Sequence, residues 1–277
     1  MKRRQILIAA AALLTGAIGS AASKSSTTSP NMRWILDPKP VLTGLSAPVG
    51  MSYDSVGTLY IANWASGTID RLLGNGRRET FVRGLNGPSG LVVAAGGDLF
   101  VASYHDDCVW RIKPNGERSV FVKNLATPAG LSFEPSGRLL IANRRTNQIL
   151  AVELDGKLIA VAERLQTPVG VVRFVSGELV VSNIDGGITV IDGQGKMRTV
   201  TSALRQPGPG IVQAADDAVF VVDYGGTRIR QVSLSGRVDS IVDGLRSPVG
   251  LAVSPQGDLM VATWGDNALF RIRRIAQ

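Results

Sequence analysis

"PVGMSYDSVGTLYIANWASGTIDRLLGNG" occupies residues 48–76. It opens on a Pro-x-Gly step. Leu59 and Ile61 then alternate with other residues at the period of a strand, and an Asn-Gly pair closes the stretch. The same sentence returns every forty residues. "APVG" ends at Gly50, "GPSG" at Gly90, "TPAG" at Gly130, "TPVG" at Gly170, "PGPG" at Gly210 and "SPVG" at Gly250. Proline stands two positions before the glycine at Pro48, Pro88, Pro128, Pro168 and Pro248, while the fifth copy flanks that position with Pro207 and Pro209.

Other positions keep the same step. A turn glycine recurs at Gly57, Gly97, Gly137, Gly177 and Gly257, with Asp217 in the fifth copy. Leu59, Leu99, Leu139, Leu179, Val219 and Leu259 follow, each with an apolar residue two places on. A second apolar start recurs near Ile69, Val109, Ile149, Ile188, Ile229 and Leu269. Later turns carry Gly76, Gly116, Gly156, Gly195 and Gly236, several as Asn-Gly or Asp-Gly, a pair that tolerates positive φ at both central positions of a tight hairpin. Four short strands per repeat, six repeats and no helical stretch make an all-β fold, a six-bladed β-propeller of four-stranded blades. The last copy stops before its fourth strand. "KPVLTGL", residues 39–45, lies one period before "TFVRGLN" and is expected to supply that strand from the N-terminal side and close the ring.

The pattern resembles the NHL repeat over residues 39–277 and is distantly similar to the gluconolactonase and senescence-marker-protein-like superfamily. The resemblance implies the propeller and leaves function open, because such propellers include binding proteins and enzymes. Gluconolactonase-like enzymes bind calcium or another divalent ion at the axis, with ligands just before the glycine of the inner strand. The counterparts here are Val49, Ser89, Ala129, Val169, Pro209 and Val249, which lack the oxygen ligands a hard cation needs. Streptogramin lyases have a similar repeat and need catalytic histidines. This chain has one histidine, a poor fit to them. Propeller-type amidating lyases, with several histidines on zinc, fit poorly for the same reason.

Ahead of the repeats, residues 1–22 read as a signal peptide: Lys2, Arg3 and Arg4, an apolar run from Ile6 to Ile18, then Ser20-Ala21-Ala22. The apolar run is too short for a transmembrane anchor. "KRRQILI" also resembles a twin-arginine signal. Residues 23–38 read as a flexible leader. The expected location is periplasmic or secreted. A single cysteine excludes an internal disulfide, so packing and hydrogen bonds must close the fold. The net charge of +8 falls to +5 without the three basic signal residues, and no dense Lys/Arg run of nucleic-acid type is present.

In such a propeller the loop between the second and third strands of each blade lies on the face that commonly carries the ligand. These loops begin with Asn63, Ser103, Asn143, Asn183, Asp223 and Thr263, short polar side chains suited to closing a turn. The next position reads Trp64, Tyr104, Arg144, Ile184, Tyr224 and Trp264. The chain has 4 Trp and 4 Tyr, and half of these eight stand here, in consecutive blades of the closed ring. Either they form a ligand-binding crescent, with Arg145 and Arg228 adding positive charge, or each ring seals its own hairpin against the next blade. "SYHDDC", 103–108, lies on the same face and holds the only histidine and cysteine. His105 is a candidate rim contact. Cys108 starts a strand and is expected to be inert.

These residues point away from an enzyme. The expected protein is a non-catalytic propeller that binds a small molecule, saccharide or peptide or protein ligand on its loop face, as a monomer with no cofactor and no nucleic acid. Trp64, Tyr104, His105, Arg144, Arg145, Tyr224, Arg228 and Trp264 are the candidate contacts. The alternative is a metal-dependent hydrolase or lactonase of gluconolactonase type with an altered axial site. A scaffolding role in the envelope is a third.

Overall fold

The computed structural model describes residues 32–153 and 155–276. The expected signal peptide and leader residues 23–31 lie outside the described residues. Six four-stranded antiparallel sheets are present, and in five of them the strands follow one another in chain order. Blade 1 runs from Pro48–Tyr53 through Leu59–Asn63 and Thr68–Leu72 to Arg78–Val82. Its innermost strand is the Pro-x-Gly segment, as it is in every blade.

The blades hold together face to face. Along Leu59–Asn63, Leu59 and Ile61 pack into one cluster with Met260 and Leu269 of blade 6. Tyr60 and Ala62 point the other way, into a cluster with Leu99 and Val101 of blade 2. The two-residue period of a strand thus serves two neighbours, and all five residues are buried. Six such clusters occupy the six seams. Burying one Leu or Ile contributes about 1.5–3 kcal/mol. That is the order of a typical disulfide, about 2–4 kcal/mol. The seam of Met51, Leu59 and Ile61 against Met260 and Leu269 therefore holds the first and last blades together without one.

The last blade takes its outer strand from Met32–Leu36, which pairs with Ile272–Ala276. This differs from the expected strand at 39–45, and it turns part of the expected leader into structure. Residues 39–45 contribute one bridge, Leu42 to Leu269, and hydrogen bonds from the Val41 N–H to the Leu269 carbonyl and from the Leu45 N–H to the Asn267 carbonyl. Pro38 and Pro40 lack the N–H donors a ladder needs, so the strand breaks there and resumes upstream. The later turns also differ from the expected hairpin. Gly76, Gly116 and Gly156 have positive φ, but Asn75 and Asn115 do not. The side chains of Asn75, Asn115 and Asp155 instead accept the N–H two residues on, at Arg77, Glu117 and Lys157, which closes an Asx-turn.

Candidate functional site

The site is built by two repeats of the same geometry. In blades 1–6 the pairing of the innermost strand with the second strand slips between Pro48 and Met51 and at the equivalent place in each copy. Such a bulge re-aims a side chain. The residue inside it is Val49, Ser89, Ala129, Val169, Pro209 or Val249, and all six line a cavity of about 320 Å³ on the axis. The second tier is the loop position after the second strand: Trp64, Tyr104, Arg144, Ile184, Tyr224 and Trp264.

The residue before that tier fixes it. Asn63, Ser103, Asn143, Asn183, Asp223 and Thr263 are all buried. Asn63 accepts the Ser46 N–H at 3.0 Å, Asn143 accepts that of Ala126 at 2.7 Å, and Asp223 accepts that of Gln206 at 3.1 Å. These bonds tie each hairpin to the segment entering its own blade. The turn-closing role expected of these residues holds.

The aromatic side chains seal the blade seams and also line the cavity. Trp64 and Tyr104 meet edge to face at 4.8 Å, across a seam between blades. Tyr224 and Trp264 do the same at 5.6 Å. The Trp264 indole donates to the Pro48 carbonyl of the next blade at 2.9 Å. The rings seal the seams and face the axis with what remains exposed. Arg144 is the cavity's one cation among the described lining residues. Gln206 also lines it, a position the sequence reading missed; the signal was the break of the Pro-x-Gly step in the fifth copy, "RQPGPG".

Three candidates stand elsewhere. His105 does not line the cavity. Its ring packs edge-on against Trp64 at 5.2 Å and Tyr104 at 5.3 Å, and a Cβ on Gly87 would meet His105 Cδ2 at 2.7 Å. It buttresses the aromatic pair from outside. Arg145 is 64% exposed and faces Asp107 at 3.7 Å. Arg228 reaches the Asp243 carboxylate at 2.6 Å. Adjacent loop residues diverge, and a nearby acid captures each of these two arginines.

"SYHDDC" is spent on structure. Ser103 Oγ donates to Asp106 Oδ2 at 2.7 Å, and Asn86 donates to Asp106 Oδ1 at 3.0 Å. Asp107, with φ 50°, accepts the Thr127 N–H at 2.6 Å. Burial pushes the Cys108 thiol up to about 11, with Asp106 and Asp107 adding to the rise, so it carries no thiolate near neutral pH.

A divalent cation does not fit the axial positions. Ser89 is the one oxygen-bearing side chain among the six, and it donates to the Pro128 carbonyl at 2.9 Å. Calcium takes about six to eight oxygens. No Asp, Glu or His lines the cavity among the described residues.

The model of the virginiamycin B lyase family matches residues 36–277. The chain belongs to this family. By sequence alone, a single histidine makes the chain a poor fit to such lyases. The match covers the propeller except for most of the Met32–Leu36 strand, and shows kinship all the same. No curated protein matches the chain in sequence. Among solved structures, a catalytically inactive histidine-to-alanine variant of virginiamycin B lyase from Staphylococcus aureus with quinupristin is 18% identical. It has a TM-score of 0.65, with 88% of each chain covered. A gluconolactonase from Xanthomonas campestris is 16% identical with a TM-score of 0.75, covering 85% of this chain and 89% of that one. A chain of the nidogen/laminin complex is 20% identical with a TM-score of 0.62, covering 71% and 80%. At these identities the likeness is one of fold. No helix among the described residues is long and apolar enough to cross a membrane.

Proposed function

We propose that this member of the virginiamycin B lyase family is a non-catalytic propeller that binds a small molecule in its axial cavity. The observation that carries the reading is the composition of the cavity wall. It holds apolar and aromatic side chains with one arginine, and no histidine or carboxylate among the described lining residues. A histidine-to-alanine change inactivates the Staphylococcus aureus lyase. Here the single histidine stands behind Trp64 and Tyr104, and among the described residues no acid–base pair lines the cavity. The cavity falls within the range of about 300–1,000 Å³ that small-molecule sites occupy. The residues before the propeller support export to the periplasm or beyond. We take the working unit to be the monomer.

Trp264 provides the test. Compounds that raise the melting temperature in a thermal-shift screen of apolar small molecules are expected to bind Trp264→Ala roughly 30-fold more weakly, the loss of one aromatic anchor worth about 2 kcal/mol. Trp264→Phe, which keeps the wall but not the bond to Pro48, should retain most of the affinity. Titration calorimetry that finds equal affinity in Trp264→Ala and the parent protein overturns the assignment.

The lactonase alternative requires a metal. Millimolar calcium, magnesium, manganese or zinc is expected to leave the melting temperature where excess chelator leaves it. A native-state ligand at a hundredfold excess over its dissociation constant would add about 2.7 kcal/mol. A reproducible rise with one metal would restore the lactonase reading and direct the work to lactone substrates.

A further inference from the structure

Arg144 stands in an unusual position for a cation. It is half-buried at the rim of an apolar cavity, and no carboxylate pairs with it among the described residues. Its neighbour Arg145 has Asp107, and Arg228 and Arg246 have Asp243 and Asp266. What holds Arg144 is Tyr104. One amino group donates to the Tyr104 hydroxyl, and the guanidinium carbon lies 5.9 Å from the ring centroid. The Arg144 Nε is buried and has no hydrogen-bond partner. A guanidinium carries five N–H donors in a planar fork. Leaving donors of a charged group desolvated and unpaired is costly. The backbone leaves Arg144 little room to withdraw, because it sits in a single 3-10 turn, Arg144–Thr146, with its N–H bonded to the Thr127 carbonyl.

We propose that the cavity takes a compact aromatic or aliphatic carboxylic acid, with the carboxylate on Arg144 and the apolar body against Trp64, Trp264, Val49 and Val249. This rests on the reading of the axial cavity as a binding site. The charge balance selects the class. One guanidinium matches one carboxylate, whereas a phosphate dianion would bring a second charge into a wall with no other cation. A saccharide would need partners for many hydroxyls, and this wall has few polar groups.

The probes are phenyl-substituted acids from benzoate to 4-phenylbutanoate, their uncharged amides and phenyl phosphate, titrated calorimetrically into the mature protein. The best acid is expected to bind roughly 10- to 100-fold more tightly than its amide, as a charge-assisted hydrogen-bonded pair implies. It should also bind more tightly than phenyl phosphate. In Arg144→Gln the preference for acid over amide should fall to about twofold or less, with the amide's affinity unchanged. Arg144→Lys keeps the charge without the fork and should lie between. Both variants should melt close to the parent, since the side chain faces the cavity. Equal binding of acid and amide to the parent, or an acid preference that survives in Arg144→Gln, overturns this inference while the cavity remains a binding site. Tighter binding of phenyl phosphate than of the acids overturns the carboxylate assignment. Binding of none of these probes overturns both readings.

Discussion

Gly50→Ala is expected to cost the fold about 3–5 kcal/mol, and Gly90→Ala about as much. A Cβ on Gly50 would stand 2.2 Å from the Ser89 carbonyl oxygen and 2.6 Å from the Leu91 nitrogen. On Gly90 it would stand 2.4 Å from the Ala129 oxygen and 2.6 Å from the Leu131 nitrogen. The obstacles are backbone atoms of the next blade, so no rotamer change relieves them. The strand would have to move, and its neighbours on both sides are equally close. Neither glycine has positive φ, so the cost is one of space and not of backbone conformation. Gly76 provides the opposite control. Its φ is 81°, yet nothing lies within 4 Å of a Cβ there. Gly76→Ala should cost only the left-handed penalty of about 1–2 kcal/mol. Urea unfolding of the three variants checks the ordering. If Gly50→Ala loses no more than Gly76→Ala, close approach at the axis is not what requires the glycine.

The forty-residue step was legible because every level of the sequence repeats together. Turn glycines, strand alternation and the Pro-x-Gly step all carry the same period, and each has a local physical cause. The axial tier was legible for the same reason: a residue just before a glycine in an innermost strand has one place to go. The ring-closing strand was misplaced because Pro38 and Pro40 interrupt the period and displace the pairing upstream to Met32–Leu36. Arg145 and Arg228 lie outside the cavity lining for a different reason. Sequence puts a residue on a loop but does not say which way the loop turns it, and Asp107 and Asp243 decide that through space. His105 falls between these cases. It follows Tyr104 on the loop, but its contact with Trp64 comes from a neighbouring blade.

Glu134→Gln is expected to destabilise the protein by about 2–4 kcal/mol near neutral pH. Glu134 follows the innermost strand of blade 3, Pro128–Phe133, and its side chain is 3% exposed. Arg138 pairs with it from the same turn and reaches Glu153 with its other arm. Ser136 donates to it at 2.7 Å. Arg173, at the end of the innermost strand of blade 4, brings its Nε to 2.9 Å from Oε2, so the carboxylate also bridges two blades. Burial alone would raise the Glu134 pKa. The bonds from Arg138 and Ser136 and the charges of Arg138 and Arg173 outweigh it and leave the pKa below its ordinary 4.5. The sign follows from linkage. A carboxyl whose folded pKa is depressed contributes stability that is fully present above the unfolded value and is lost as pH falls through the folded one. Glutamine has no such titration. The stability gap between parent and variant should therefore be widest near neutrality and shrink steadily below about pH 4.5. Unfolding by urea at a series of pH values measures it directly. A gap that stays constant down to the acid end would mean that the loss comes from packing and not from the charge. A variant as stable as the parent would mean that the two arginines are satisfied by water once the carboxylate is gone. The expected outcome gives the carboxylate a specific task. Together with Glu153 it balances the charges of Arg138 and Arg173, and it does so across a blade seam.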